Sequence, residues 1–354
     1  MNLDDLAPPD GAAWDLLVIG GGTAAIVGAK TAASLGASVL LVERERTGGD
    51  CLWTGCLPSK ALLAAAHAAA DARSAARYGI HVPRIEVDFA AVMAGVHAAI
   101  ATIAPVDSPE ALRAAGVRVV EGSARLTGPG AAQVDHVPAR FRQVLLATGA
   151  APSMLPIPGM VGPAFYTSDT IWDLTELPGR LLVLGGGGVG CELGQAFARL
   201  GSRVTIVETA PRLLPSEDPD ASELLACALR ADGIDIRTGI GVTGFADSSA
   251  ELADGSRVEF DVALLAIGRT PRTVGLGVAE AGVEVDAGGH VIVDRHLRTS
   301  NPRVWAAGDV TTYPTYADGV WNAAIAEVQA GLRRPSLRTV TALLGRVRRR
   351  RVSG

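Results

Sequence analysis

The chain has little cysteine, little lysine and no long apolar segment. Four cysteines and two lysines occur in 354 residues, whereas arginines number 30. No run of 18 apolar residues occurs without a proline or a charge, which predicts no transmembrane segment. The first ten residues carry three Asp and no apolar core, unlike a secretory signal. We therefore expect a cytoplasmic protein in a reducing compartment, where paired cysteines are more often catalytic than structural.

Charge excludes a nucleic-acid-binding role for the chain as a whole. Acidic residues outnumber basic ones by 37 to 32, giving a net charge of −5. Residues 331–354 nevertheless hold eight arginines and no acidic residue. This basic tail is predicted to be either a solvated end or a short amphipathic helix that makes weak contact with a membrane or a partner.

Two segments of the chain, residues 14–43 and 181–208, repeat one design at an offset of 165 residues. Each predicts an apolar strand, a glycine-rich turn, a helix, and a second strand that ends in an acid. The matching positions are Gly20 with Gly185, Gly22 with Gly187, and Glu43 with Glu208. In both copies the acid lies 23 residues after the first glycine. The repeat therefore predicts two βαβ units.

Each unit carries the residues expected of a dinucleotide site. Glycines allow a sharp turn and the close approach of a pyrophosphate to the helix amino terminus, where free N–H groups favour anions. The third glycine is Gly190 in the second copy and Ala25 in the first, which that position tolerates. A terminal acid would bind a ribose diol and repel a 2′-phosphate, which favours NADH over NADPH. Arg203 and Arg212 flank the second site and leave NADPH open.

Three further apolar segments predict buried parallel strands that end in glycine turns: residues 144–150, 262–271 and 304–310. Joints rich in Gly and Pro indicate crossings between domains. The predicted fold class is α/β, with two Rossmann-like FAD/NAD(P)-binding domains, the second inserted into the first. The predicted parts are an N-terminal tail (1–12), an FAD-binding domain (13–152 and 271–332), an NAD(P)-binding domain (153–270) and a basic tail (333–354).

Two of the four cysteines lie five positions apart in GGDCLWTGCLPSK, residues 48–60. In one regular helix their Cα atoms would be roughly 8 to 9 Å apart, beyond disulfide reach. We therefore expect Cys51 before a helix, a bend at Gly55, and Cys56 near the helical amino terminus, where the dipole lowers a thiol pKa. Lys60 would share a helical face with Cys56.

Other interpretations of these thiols stay open on the residues alone. Zinc would need four ligands, and no second Cys/His pair with suitable spacing follows, so no metal site is predicted. Two inert buried thiols are a further alternative. Cys191 and Cys227 each lie in an apolar helical context without a partner and are interpreted as inert.

The chain resembles the class I pyridine nucleotide-disulfide oxidoreductases, the family of dihydrolipoamide dehydrogenase, glutathione reductase and mercuric reductase. The resemblance covers roughly residues 13–330 and rests on the Cys-x4-Cys-x-Pro-Ser-Lys segment, both glycine motifs, and the ATG, GRTP and AAGD turns in the family's order. It implies FAD in the first site, NAD(P)H in the second, and a redox-active Cys51–Cys56 disulfide.

The resemblance also implies roles for single residues. Cys56 would face the flavin, Cys51 would exchange with substrate, and Lys60 and Glu192 would form an ion pair near the flavin. Residues implied to bind a cofactor are Gly20, Gly22, Glu43, Arg44, Gly49, Lys60, Gly122, Thr148, Gly149, Asp309, Gly185, Gly187, Gly190, Glu208, Val242 and Gly268. The expected activity is electron transfer between NAD(P)H, FAD and a small disulfide or dithiol.

The chain departs from the family's pattern at its C-terminal end. Family members continue into a dimerisation domain that supplies a His-Glu acid/base pair, whereas no histidine follows His296 here. We therefore expect a monomer or a dimer unlike the family's. Asp50 is a candidate base, or simply a turn-forming residue. Alternative functions are an NAD(P)H:acceptor oxidoreductase that reduces quinone or O2 with incidental cysteines, and a non-catalytic flavin-binding remnant.

Overall fold

The computed structural model describes residues 6–9, 11 and 13–312. These residues divide into two compact units. Unit 1 comprises the described residues of 1–49, 105–150 and 270–354, and unit 2 comprises 50–104 and 151–269. The predicted basic tail (333–354), the end of the predicted first domain (313–332) and most of the predicted N-terminal tail lie outside the described residues.

The described residues form seven α-helices and 17 strands. The helices are α1 (Thr23–Ser34), α2 (Gly49–Trp53), α3 (Cys56–Ser74), α4 (Phe89–Ile103), α5 (Pro109–Ala114), α6 (Gly188–Leu200) and α7 (Pro219–Ala231). Short 3-10 helices span Ala75–Tyr78, Ala104–Asp107 and Ile171–Asp173. The first nine strands are β1 (Trp14–Ile19), β2 (Val39–Glu43), β3 (Val117–Glu121), β4 (Ala124–Gly128), β5 (Ala131–Val134), β6 (Val137–Leu146), β7 (Ala150–Pro152), β8 (Phe165–Thr167) and β9 (Arg180–Leu184). The others are β10 (Arg203–Glu208), β11 (Asp235–Thr238), β12 (Val242–Ala246), β13 (Ser249–Leu252), β14 (Arg257–Glu259), β15 (Val262–Leu265), β16 (Arg269–Pro271) and β17 (Val304–Ala306).

Unit 1 is built on a parallel sheet in the order β3-β2-β1-β6, with β17 on the other side of β6. In its central register Val18 lies between Leu41 and Leu145, and all three are fully buried. Such apolar runs form strands that are covered on both faces. Helix α1 covers one face through small residues such as Ala25 and Ala29, which are 0% exposed and let the helix approach closely. Strands β4 and β5 extend β6 as an antiparallel meander.

Unit 2 repeats the plan with a fully parallel sheet in the order β11-β10-β9-β15-β8. Strands β12, β13 and β14 form a separate antiparallel sheet. In both units the first βαβ strand is central, with its successor on one side and a later strand on the other. Ligands of such sheets bind outside the carboxyl ends of the strands at this switch point. The predicted α/β class with two Rossmann-like units is confirmed.

Residues 50–104 belong to unit 2, although the predicted boundary assigned them to the first domain. The reason lies in the apolar core: Leu62 and Ala66 of α3 are fully buried in one cluster with residues of α4 and α6. The rings of Phe89 and Phe197 lie 6.0 Å apart in this cluster. The assignment of the two predicted domains to FAD and NAD(P) stays a prediction.

One helical stretch, Phe89–Ala114, is long and apolar enough to cross a membrane by length and composition, with a mean hydropathy of 1.8. A core helix passes the same test, so this is weak evidence for a membrane span. Phe89, Met93, Val96 and Ile100 share one face of α4 and are buried in the core of unit 2.

Candidate functional site

The first glycine loop follows β1 in unit 1. Gly20 has φ +109°, and a Cβ there would lie 2.3 Å from the carbonyl oxygen of Ala147. Only glycine fits so close to the neighbouring strand. Gly22 precedes α1 as its N-cap, and no side chain caps this helix. The nearest atom to a Cβ at Gly22 is the Cα of Gly49, at 3.7 Å. The loop therefore presents an uncapped helix amino terminus, which is a ready anion site.

The second glycine loop has nearly the same geometry in unit 2. Gly185 has φ +105°, and a Cβ there would lie 2.3 Å from the carbonyl oxygen of Ala266. Gly187 is the uncapped N-cap of α6, and a Cβ at Gly187 or Gly188 would meet no atom within 4 Å. This space beside the first turn of α6 can accept a pyrophosphate. The residues present fit a bound dinucleotide.

The third position of the motif differs between the two loops. A Cβ at Gly190 would lie 2.0 Å from the carbonyl oxygen of Gly185. In the first loop, the equivalent Ala25 carries its Cβ and is fully buried. The expectation that this position tolerates alanine therefore holds for the first loop, whereas the second loop and helix are too close for it.

Both terminal acids lie at the glycine loops. The carboxylate of Glu208 accepts hydrogen bonds from the N–H groups of Gly186, at 2.6 Å, and Ala210, at 2.7 Å. Glu43 accepts from the N–H of Glu45 at 2.9 Å, and its Cγ would lie 2.9 Å from a Cβ at Gly21. These contacts hold a negative charge beside each loop, where the sequence predicts the ribose of a nucleotide.

Residues 50–56, here called the cysteine turn, carry two of the cysteines of unit 2. Cys51 lies in α2 and Cys56 is the first residue of α3, so one helix does not carry both. Gly55 lies between the two helices, and a Cβ there would be 2.9 Å from the carbonyl oxygen of Asp50. The predicted bend at Gly55 is confirmed. Both cysteines are exposed, and neither is in a disulfide.

The Cys56 thiol is activated by its surroundings. Its pKa is lowered to about 6, first by a hydrogen bond from Cys51 and also by the positive charge of Lys60, while partial burial opposes the shift. Burial instead raises the pKa of Cys191 to about 11. At neutral pH Cys56 is therefore the reactive thiolate, and Cys191 is an inert thiol.

The pH dependence of Cys56 follows from this shift. In the reduced protein we expect its alkylation rate to rise with pH about a midpoint near 6, since only the thiolate reacts and protonation removes it at lower pH. Replacing Cys51 with alanine should move the midpoint upward, because it removes the largest cause of the shift. Iodoacetamide labelling at a series of pH values, resolved by peptide mass spectrometry, measures the alkylation rate of Cys56 and hence the midpoint in each protein. An unchanged midpoint in Cys51→Ala would contradict this account.

Lys60 and Glu192 connect α3 and α6. Lys60 Nζ and Glu192 Oε1 form an ion pair, as the resemblance implies. Their side chains are 61% and 35% exposed, so the pair contributes little to folding stability. Its effect is electrostatic: Lys60 lowers the pKa of Cys56, and Glu192 opposes it.

The remaining predicted residues lie at loops of the two units. In unit 1 the N–H of Gly122 donates to the carbonyl oxygen of Glu43, and Thr148 Oγ1 donates to that of Arg272, at 2.8 Å. Arg44 forms an ion pair with Glu45, and the N–H of Ser153 donates to the carbonyl oxygen of Gly268. Gly149 has φ +67°, Asp309 follows β17, and Val242 is the first residue of β12. Their cofactor contacts stay predictions.

Two features were not predicted from the sequence. Arg269, Asp169 and Trp172 contact Asp50 and Thr54 of the cysteine turn in unit 2. Arg269 belongs to the GRTP turn, but no local pattern links it to Asp50, 219 residues away. The second feature is a surface cavity of about 640 Å³ in unit 1, whose lining includes Arg44, Arg113, Arg118 and Gly122.

Comparison with known proteins decides the family. The sequence profile of the pyridine nucleotide-disulphide oxidoreductases matches residues 14–331. The chain belongs to this family. The predicted resemblance is confirmed, and the family supports FAD and a pyridine nucleotide as cofactors.

Individual relatives agree with this assignment. The chain is 39% identical to a mercuric reductase of Streptomyces lividans over 321 residues, which cover 86% of this chain and 66% of the relative. It is 36% identical to a dihydrolipoyl dehydrogenase of Thermus scotoductus, covering 86% and 68%. Among solved structures, the HOCl-induced flavoprotein disulfide reductase RclA from Escherichia coli superposes with a TM-score of 0.75 at 29% identity, covering 88% and 69%. The chain thus spans about two thirds of the length of these relatives, one of which is named a flavoprotein disulfide reductase.

Proposed function

We propose that the chain is an FAD-dependent oxidoreductase that carries electrons between a pyridine nucleotide and a small disulfide or dithiol through Cys51 and Cys56. The observation that carries the proposal is the cysteine turn: a thiol with a pKa of about 6 begins α3, and a second exposed thiol donates a hydrogen bond to it. Family membership and the two glycine loops support the cofactors.

The cysteine chemistry balances as a two-electron exchange. When bound, the two cofactors supply two electrons that, with two protons, convert a Cys51–Cys56 disulfide into two thiols. Cys51 then attacks the substrate disulfide and forms a mixed disulfide, and its proton passes to the departing substrate sulfur, which leaves as the first thiol. The Cys56 thiolate attacks Cys51 Sγ, which re-forms the internal disulfide and releases the second thiol. Reversing these steps oxidises a dithiol.

A lowered pKa suits Cys56 to the returning step. The attack on Cys51 must compete with the reverse attack by the released thiol, and a preformed thiolate needs no deprotonation first. Lys60 supports this state from the next helical turn, because its charge favours the thiolate.

The proposal is tested by counting thiols in the purified flavoprotein. After oxidation and removal of the oxidant, anaerobic addition of NADH should create two new alkylatable thiols, at Cys51 and Cys56, with Cys227 as an internal reference. No gain of thiols at these two positions, together with oxidation of NADH, would indicate an oxidoreductase whose cysteines are incidental. Absence of any NADH oxidation would indicate a flavin-binding remnant.

We further propose that the second site prefers NADH to NADPH. Glu208 holds its negative charge beside the glycine loop, where a 2′-phosphate would be repelled. Arg212 keeps its charge, but its Nη2 donates to the carbonyl oxygens of Pro215 and Glu217, each at 2.7 Å, so this nitrogen is engaged within the loop rather than aimed at a 2′-phosphate. The guanidinium is thereby engaged in holding the loop before α7.

Replacing Glu208 with glutamine should reduce the preference of the second site for NADH over NADPH. Glutamine keeps the shape of the side chain but removes the charge, so we expect the ratio of kcat/KM for NADH over NADPH to fall by about tenfold, or about 1.4 kcal/mol. Glu176→Gln is the matched control, since Glu176 is an exposed acid in the loop before the amino end of β9. An equal change in both variants would contradict a specific role for Glu208.

A further inference from the structure

Arg269 binds one end of the cysteine turn within unit 2. Its Nη2 forms an ion pair with Oδ2 of Asp50, the residue directly before Cys51. Its Nη1 lies 3.5 Å from Ser168 Oγ and 3.8 Å from Asp169 Oδ1. One guanidinium therefore joins the start of the turn to residues 168–169.

The same segment holds the other end of the turn. Thr54 Oγ1 donates to Asp169 Oδ1 at 3.4 Å, and the indole N–H of Trp172 donates to the carbonyl oxygen of Thr54 at 2.9 Å. Trp172 also donates to the carbonyl oxygen of Ser168 at 2.8 Å. Since Thr54 lies two residues before Cys56, both cysteines are flanked by residues tied to one segment. We call Arg269, Asp50, Asp169 and Thr54 the clamp.

Burial gives these contacts more weight than surface ion pairs have. The side chains of Arg269, Asp50 and Asp169 are 28%, 33% and 26% exposed, and Trp172 is 4% exposed. Partly desolvated, charge-assisted hydrogen bonds are stronger than those between exposed groups, and a network is stronger than an isolated pair.

The clamp bears on the equilibrium between dithiol and disulfide. Reduction breaks the bond between the two sulfurs, and only the backbone of residues 52–55 then links the two short helices that carry Cys51 and Cys56. How readily the link re-forms depends on the effective concentration of one sulfur at the other, and holding both ends of the turn keeps that concentration high. A more favoured disulfide means a lower reduction potential.

We propose that Arg269 is a positioning residue that, through the clamp, keeps the reduced Cys51 and Cys56 together and so lowers the reduction potential of the pair. The proposal rests on the function given above, in which this pair is oxidised and reduced in every cycle. It assigns to the GRTP turn a role in the thiol chemistry.

The test is a redox equilibrium of the purified flavoprotein in glutathione buffers. As the Cys51–Cys56 bond is reduced, two glutathione molecules are oxidised to glutathione disulfide, so the ratio of the two forms reports the potential. Alkylation and mass spectrometry count the reduced pair. For Arg269→Met we expect about a tenfold shift toward the dithiol, equivalent to a potential about 30 mV higher. Arg269→Lys should lie between methionine and wild type, because lysine restores the charge without the two-pronged geometry.

A second variant separates positioning from direct electrostatics. Asp50→Asn removes a negative charge near the thiols, whereas Arg269→Met removes a positive one, so a purely electrostatic effect on the thiolates would shift the potential in opposite directions. Loss of the clamp shifts it in the same direction in both. Thr54→Val, which changes no charge, should give a smaller shift of that sign.

Arg199→Met is the matched structural control. Arg199 pairs with Asp232 at 2.9 Å in the same unit, with side chains 20% and 23% exposed, but it is not part of the clamp. We expect lower stability and an unchanged potential. Wild-type potentials in Arg269→Met and Asp50→Asn, shifts of opposite sign, or an equal shift in Arg199→Met would each overturn the proposal. The glutathione equilibrium needs no NADH and no turnover, so it decides the role of the clamp even if the NADH thiol count defeats the proposed function.

Discussion

Replacing Cys56 with serine should lower NADH-dependent disulfide reduction by about 10³-fold or more, because the internal disulfide can no longer form. The change removes one sulfur at the first residue of α3 and little volume. Cys51 could still attack a substrate disulfide, but the mixed disulfide would have no internal thiol to resolve it. The variant should therefore stop after one exchange, with one substrate half bound to Cys51. Intact-mass spectrometry after incubation with excess disulfide measures that adduct.

Cys227→Ser provides the control for this experiment. Cys227 is an exposed thiol on α7 whose sulfur lies 3.5 Å from Glu223 Oε1, and the proposed reaction does not use it. Its replacement should leave turnover within about twofold of wild type, in the range of ordinary surface substitutions. Turnover of Cys56→Ser above a tenth of the wild-type rate would exclude the internal disulfide as an obligatory carrier.

Replacing Gly185 with alanine should destabilise unit 2 by about 2 to 5 kcal/mol. Two costs add at this position: a backbone with φ +105° strains any residue that has a Cβ, and that Cβ would lie 2.3 Å from the carbonyl oxygen of Ala266. The oxygen belongs to backbone that follows the buried strand β15, so it has little freedom to move. Urea unfolding of the full chain, followed by tryptophan fluorescence, measures the loss. NADH binding should weaken as well, because the loop must shift.

Gly233→Ala separates the two costs. Gly233 has φ +85°, but a Cβ there would meet no atom within 4 Å. Only the backbone strain should remain, at about 1 kcal/mol. If both variants lose the same stability, the close approach of β15 does not restrict Gly185.

The glycine and acid positions of both nucleotide units were predictable from the sequence because they are local requirements. Gly20 and Gly185 lie where a central strand turns into a helix. Each has a positive φ, and a glycine at such a position in the sequence indicates this backbone conformation. The number of residues from each of these glycines to Glu43 or Glu208 corresponds to the length of one helix and one strand. The cysteine turn was predictable for a similar reason, since five residues of spacing and one glycine exclude a single helix.

The boundary at residue 50 was not predictable in this way. The redox segment follows the first βαβ unit in the chain, which suggests a common domain, yet α3 and α4 bury their apolar faces with α6 of unit 2. The sequence of an apolar helix face does not specify its packing partner, because burial against any apolar surface of suitable shape gives a similar free energy. The choice of partner depends on the whole assembled core.

The sequence by itself determined the family, through the order of its motifs. It also determined the doubled βαβ plan, the two acids beside the glycine loops and the placement of Cys56 at a helix amino terminus, because each of these depends on residues within about 30 positions of each other. Only the tertiary structure decided that Arg269 and Asp169 join the surroundings of the thiols. Asp50 meets Arg269 across 219 residues of chain, whereas the pair of Lys60 with Glu192 was already implied by the family resemblance. Such contacts are set by how helices and loops pack, and the electrostatics of the thiols follows from that packing.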